Sequence, residues 1–312
     1  MRAFKTEINP TAIQAQKIRR TLGGCRYVYN LFLATNEERY QKGEPFLSAY
    51  DFSKWLNHEY ATQPEYAWIK DVSSKAVKHA IGQAETAYRR FWKHLSGKPK
   101  FKKKKAQTMG FYTPKNNPKD WLIERHRVKI PTLGWVRLKE YGYLPVGAKV
   151  VSGTIKQQAN RYFVSVLVEE AALSANVSFS CGPGKGVDVG LKDFAIVSNG
   201  DVYKNINKSS AIKRLEKRLN RAQRALSRKY QYRKKVKSAT KRGRNIDKNV
   251  LRVQKLQRRL ANVRSDYRAD VVRMLTKTKP AYITIEDLNV KGMMTNRHLS
   301  QSIGHRDSMT LC

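Results

Sequence analysis

Apolar residues change period several times along this chain, and the changes divide it into segments. Ala3 to Ile8 alternates as a short strand that stops at Pro10. From Thr11 the apolar positions take helical spacing at Ile13, Ile18 and Leu22, then at Tyr29 and Leu33, with Gly23-Gly24 between the two sets. That pattern predicts a helical pair or a bent helix over 11–40, ended by Gly43 and Pro45. A second short helix is predicted over 51–60. A third is predicted over 71–95, where Val72, Ala76, Ala80, Ala84, Ala87, Phe91 and Leu95 recur about one turn apart. Residues 109–170 then read as short β-type runs at 111–112, 121–122, 128–130, 135–138, 150–155 and 162–168, separated by Pro, Gly and Asn. Runs of this kind predict a small barrel or a curled sheet, which the N-terminal strand can join. The helical segment is then an insertion between the first two strands.

A polar loop, Ala171 to Gly184, marks a second boundary. Beyond it, 186–189, 193–198 and 202–206 predict a three-stranded antiparallel meander with Asn199-Gly200 as a hairpin turn. Two long helices follow. Leu215, Leu219, Ala222 and Leu226 mark one face of the first. Leu256, Leu260, Val263, Tyr267 and Val271 stripe the second, with Gly243 between the pair. Pro280 stops the second helix, and Tyr282 to Ile285 predicts a final buried strand ending in Glu286-Asp287.

Charge changes the meaning of this pattern. The 312 residues hold 63 Lys and Arg against 24 Asp and Glu, a formal net charge of +39. Such an excess opposes compaction unless a polyanion neutralises it, and a phosphate backbone is the obvious candidate. The excess is also uneven. Between Lys204 and Arg259 there are 22 Lys and Arg and two acids, Glu216 and Asp247. A merely solvated helical face mixes both signs, so Arg214, Arg218, Arg221, Arg224, Arg228, Lys229, Arg233 and Lys234 are candidate nucleic-acid contacts. The run Pro99 to Lys105 is a second cluster. It reads as a solvated linker, as a phosphate clamp through Lys102, Lys103, Lys104 and Lys105, or as both. No 18-residue apolar stretch and no signal-type start is present, so a membrane role is not expected, and a cytoplasmic, nucleoid-associated location is. Cys25, Cys181 and Cys312 are scattered, as are the six histidines, and they form neither a disulfide framework nor a zinc-binding pattern.

Two acids stand out at strand ends: Asp188 in Gly186-Val187-Asp188-Val189-Gly190, and Glu286 after Ile285. A long helical crossover returns a strand parallel to an earlier one. If the last strand pairs with the first of the meander, both acids reach one sheet edge, where paired carboxylates hold Mg²⁺ with water and phosphate oxygens. An acid at a strand end is also an ordinary cap or surface residue. The order of elements is that of a ribonuclease H-like fold.

Four stretches carry a resemblance: TLGGCRYVYNLFLA at 21–34, KIPTLGWVRLK at 129–139, GVDVGLKDFAIVSNG at 186–200 and ITIEDLNVKGMMTNRHLSQSI at 283–303. Together they resemble the TnpB family, the IS200/IS605-type transposon-encoded RNA-guided DNA endonucleases. The resemblance implies a mixed α/β multidomain protein. A wedge β-barrel-like domain (1–10 and 109–175) would be split by a helical recognition lobe (11–100) and a basic linker (101–108). A partial RuvC domain (184–303) with basic helices over 209–277 would follow, then a divergent tail (304–312). It further implies Asp188 and Glu286 as catalytic and metal-binding acids, Mg²⁺ as their ion, a guide RNA from the transposon end, and target double-stranded DNA read beside the target by lobe and wedge. Family members continue past the region matching Ile303 through a helix, a four-cysteine zinc finger and a third acid. Here Gly304 to Cys312 takes that place, and Asp307 stands too early to match the third acid. The expectation is therefore RNA-guided DNA binding without zinc and with an incomplete cleavage site. The alternatives are a non-catalytic repressor or regulator of a full-length relative, acting alone or with a second copy, and a degenerate transposon product.

Overall fold

The computed structural model describes residues 1–103, 108–169, 183–190, 192–235, 243–289, 292–293 and 295–296. The chain divides into two compact units, residues 1–173 and 174–312. Both mix helices with a sheet.

In the first unit, β1 (Arg2–Asn9) is followed by α1 (Ala12–Gln41), α2 (Ala49–His58) and α3 (Ser74–Trp92). Six strands follow: β2 (Thr108–Pro114), β3 (Leu122–Ile123), β4 (Arg127–Ile130), β5 (Gly134–Leu138), β6 (Lys149–Gln158) and β7 (Arg161–Glu169). The sheet order is β2-β6-β7-β1-β5-β4-β3. The N-terminal strand lies inside the sheet, antiparallel to β7 from Arg2↔Val168 to Ile8↔Tyr162. It reaches β5 at Ile8↔Leu138. The helices are thus inserted between two strands of one sheet. The sequence pattern predicts a small barrel or a curled sheet, and the resemblance a barrel-like wedge; the order is linear and leaves β2 and β3 at the edges, so no closed barrel forms among the described residues. Ala159 and Asn160, with φ of 48° and 65°, supply the two left-handed residues of the tight β6–β7 turn.

Helix α1 overturns the helical pair, one of the two alternatives expected over 11–40. Gly23-Gly24 does not break it; one helix runs for 30 residues from a Thr11–Gln14 capping box. The glycines cost about 1 kcal/mol each in helix propensity, and packing outweighs that cost. Ile18, Leu22 and Cys25 enter the core under the sheet, whereas Val28, Phe32 and Leu33 enter a separate core with α2 and α3. Gly24 lies at the crossing point. A Cβ there would come 3.1 Å from Val72 Cγ2, so its absence admits the 67–72 turn against the helix.

In the second unit, β8 (Lys185–Asp188), β9 (Asp193–Val197) and β10 (Val202–Lys204) form the meander. Gly200 turns the second hairpin with φ +89°. Helices α4 (Ser210–Lys235) and α5 (Arg244–Lys277) pack on each other, and β11 (Ile283–Ile285) completes the order β10-β9-β8-β11. Val271 and Leu275 of α5 share a core with Val187, Val189, Phe194, Ala195 and Val197. Tyr267 anchors the same helix, its hydroxyl donating to the Lys204 carbonyl at 2.5 Å.

Candidate nucleic-acid interface and acid pair

The two singled-out acids follow from strand pairing. β11 runs parallel to β8 with Ile283↔Lys185, Thr284↔Gly186 and Ile285↔Val187. Continuing that register by one residue sets Glu286 beside Asp188. Alternation does the rest: Val187 is buried in the core, and Asp188 and Glu286 are exposed. Ile196, directly across from Asp188 on β9, is also exposed. Two carboxylates with open surroundings suit one Mg²⁺ whose shell is completed by water and phosphate oxygens. Among the described residues no group of three or more His, Cys, Asp or Glu gathers to hold a metal. Asp307 lies outside the described residues.

Helix α4 separates its residues by face. Ile212 and Ala222 are buried and Leu215, Leu219 and Leu226 half-buried, whereas Arg214, Arg218, Arg221, Arg224, Arg228 and Lys229 are exposed. Arg233 is half-buried, and the Lys234 side chain is outside the described residues. The one acid of this helix is committed to structure: Glu216 accepts from Arg264 of α5 at 2.8 Å, and Arg264 also donates to Asn207 at 2.8 Å. The exposed guanidinium row therefore has no carboxylate of its own helix to neutralise it. From Arg214 to Arg228 it spans roughly 21 Å at the helical rise, the length of about six phosphates along a strand.

The basic run after α3 is used differently. Asn30 brackets the Lys102 backbone: its Oδ1 accepts from Lys102 N at 2.8 Å and its Nδ2 donates to Lys102 O at 3.0 Å. The Lys102 ammonium sits 3.7 Å from the centre of the Tyr29 ring and donates to Gln83 Oε1 at 3.3 Å. Partial burial there lowers its pKa. Lys102 is thus held by the fold although it is exposed, Lys103 is exposed too, and Lys104 and Lys105 lie outside the described residues.

Lys102 and Lys103 line a cavity of about 560 Å³ between α1, α3, β2 and β6, together with Arg26, Lys156, His79 and Tyr112. His79 stacks on Tyr112 with ring centres 4.4 Å apart. Burial, then the Lys102 charge, lowers the His79 pKa, which keeps its imidazole neutral at neutral pH. Burial pushes the Cys25 thiol at the cavity floor up to about 12, so it is no nucleophile. His79 belongs to the scattered histidines that form no zinc-binding pattern in the sequence. Its partner lies 33 residues away on another element, and no local pattern announces the pair.

No described helix is long and apolar enough to cross a membrane. Two family models match the chain: a helix-turn-helix domain of the IS605 OrfB type over residues 1–45, and an IS605 OrfB model described as a probable transposase over residues 185–297. In this chain residues 1–45 form β1 and the single helix α1. A protein of Escherichia coli (strain K12) named "Putative RNA-guided DNA endonuclease InsQ" is 30% identical over 294 residues, 94% of this chain and 67% of its own length. A protein of Streptomyces pristinaespiralis with the same description, without the final designation, is 28% identical over 308 residues, 97% of this chain and 70% of its own length.

Proposed function

The chain belongs to the TnpB family of IS605-type transposon proteins, and on that premise we propose that it is an RNA-guided DNA-binding protein. The observation that carries the reading is the exposed arginine row of α4, which offers about six phosphate contacts with no acid of its own helix to cancel them. Its partner is a guide RNA from the transposon end, and through that guide a target double-stranded DNA. In the family's terms, the seven-stranded sheet is the wedge domain, α1–α3 the recognition lobe, and the second unit the RuvC domain. The cavity with Gln83, the His79–Tyr112 stack and Lys103 suits reading a short duplex motif beside the target, through an amide, a ring face and a cation.

Asp188 and Glu286 are the candidate catalytic and metal-binding acids. Bound Mg²⁺ would supply a Lewis acid for phosphodiester hydrolysis. The chain's own contribution is to hold two carboxylates at neighbouring strand ends. Two carboxylates fit one ion, whereas a two-metal clamp calls for more donors than the described residues gather. We therefore read the protein as a guided binder, and cutting as the property to be tested. Copurification should yield a discrete transposon-end RNA. That complex should retain a matching DNA in preference to a scrambled one and leave it uncut in Mg²⁺. Robust cutting lost on Asp188→Ala would show a working nuclease instead, and equal retention of scrambled DNA would overturn guided binding altogether.

A further inference from the structure

Soluble surfaces carry isolated apolar side chains, but clustered ones mark contact sites. At the far end of the helical part of the first unit, Trp92 is 50% exposed, Phe46 36% and Tyr40 80%. They form a group. Phe46 meets Trp92 edge-on with ring centres 4.7 Å apart, and Trp92 stacks on Tyr88 at 5.8 Å. The Lys98 ammonium, paired with Glu37 at 2.8 Å, lies close enough to Tyr88 and Tyr40 to feel both.

The group is held in place. Buried Asn36 accepts from Leu47 N at 2.8 Å, and its amide donates to Phe32 O at 3.1 Å. Arg39 donates to Pro45 O at 2.9 Å. The loop that presents Phe46 is therefore fixed before any partner arrives, which lowers the entropic cost of binding.

Charge selects the kind of partner. From Arg89 to Lys103 the chain carries seven cations; Arg89 is paired with Glu85, Lys98 with Glu37, and Lys102 lies over Tyr29, while Arg90, Lys93, Lys100 and Lys103 add positive charge beside the rings. Lysine is depleted at the cores of protein–protein interfaces. Cations around exposed rings are the composition that binds unstacked bases and their backbone. The geometry points to a stacking platform, centred on Trp92 with Phe46 and Tyr40, for a nucleobase that has one face free. Lys93 and Arg90 contact the adjoining phosphates. The inference rests on the nucleic-acid-binding reading above and adds a site distinct from the α4 row and from the His79 cavity.

Such a base is that of a single strand, whose bases are unstacked and free to lie on a ring, and a blunt-ended duplex serves as the control. The test uses a labelled single-stranded RNA and a blunt-ended RNA duplex, each titrated onto the full chain at several salt concentrations. Stacking on an aromatic ring is worth about 1–3 kcal/mol per base, or about 5- to 100-fold in affinity. Trp92→Ala should weaken the single-stranded probe by that factor at every salt concentration, with the salt dependence unchanged because no charge is removed, and should leave the duplex within about twofold. A loss on the duplex alone would overturn the single-strand platform. Trp92→Phe should restore most of the binding, and Tyr40→Ala, at a residue too exposed to threaten folding, should weaken the same probe by a smaller factor. Binding of both probes by Trp92→Ala and Tyr40→Ala within about twofold of the unaltered protein overturns the platform. Concentration-dependent self-association of the unaltered protein, abolished by Trp92→Ala, also overturns it in favour of a contact between copies. If the unaltered protein binds neither probe, the functional reading itself fails, which is a separate outcome.

Discussion

The basic run after α3 and the basic helix α4 look alike in sequence and are used differently. Lys102 is bracketed by Asn30 and its ammonium is held over Tyr29 and against Gln83, so its side chain is positioned at a cavity wall although the residue is exposed. The arginines of α4 stand clear of the α5 contact, and the acid on their helix is committed to Arg264. Equal charge density therefore does not mean equal availability. What separates the two is whether the same sequence also provides a ring, an amide or a carboxylate to hold each cation.

Four experiments press on that difference. The largest effect is expected from reversing Arg214, Arg218, Arg221 and Arg224 to Glu together. RNA affinity should fall about 100-fold or more near physiological salt, and the slope of log affinity against log salt should flatten by about 3. An unchanged slope would mean that these side chains touch no phosphate. Next, Asn30→Ala removes two hydrogen bonds to the Lys102 backbone and should cost about 1–2 kcal/mol of stability in denaturant unfolding. Its salt slope for RNA should stay that of the unaltered protein; a flattened slope would make the bracketed run a phosphate clamp after all.

The third experiment concerns pH and sharpens the contrast from the side of an acid that is committed. The Lys75 ammonium at 2.7 Å, joined by the Asn116 and Asn117 backbone N–H groups, holds the Asp120 pKa down to about 2. Because its folded pKa lies below the unfolded value of about 3.9, its stabilisation is present above pH ~4 and is lost as pH falls through ~2. Asp120→Asn should lower the thermal midpoint at pH 6 and lose less of it between pH 5 and 2.5. Equal acid sensitivity in both proteins would remove Asp120 from the account. The smallest effect is expected from Lys102→Gln, with RNA affinity changed less than about threefold, against a slope change of about 0.7 to 0.9 for Lys103→Gln if that side chain meets a phosphate.

Much of the fold was legible because it is written in local period. The alternation of Tyr162 to Val168, the Asn199-Gly200 turn and the stripes of α4 and α5 each give an element of the expected type. The parallel sense of β11 was legible for a different reason, since a long helical crossover returns a strand parallel to an earlier one, whereas its partner β8 entered only as a condition. Gly23-Gly24 left a helical pair open as an alternative to one helix, and the pair is not formed because propensity is weak against two cores sharing one helix. The barrel expectation went too far because strand period fixes which residues face inward and says nothing of whether the edges meet. The Asn30–Lys102 bracket, 72 residues apart, and the His79–Tyr112 stack were invisible to any local pattern because each joins a helix to a distant part of the chain.

The unbroken course of α1 constrains which insertions and deletions its lineage can accept. The first half of the helix is phased to the sheet and the second half to α2 and α3. One residue added near Gly24 would turn everything after it by about 100°, swinging Phe32 and Leu33 away from their core. Seven residues would bring the phase back to within about 20°. Length changes within this helix should therefore survive in units of about two turns.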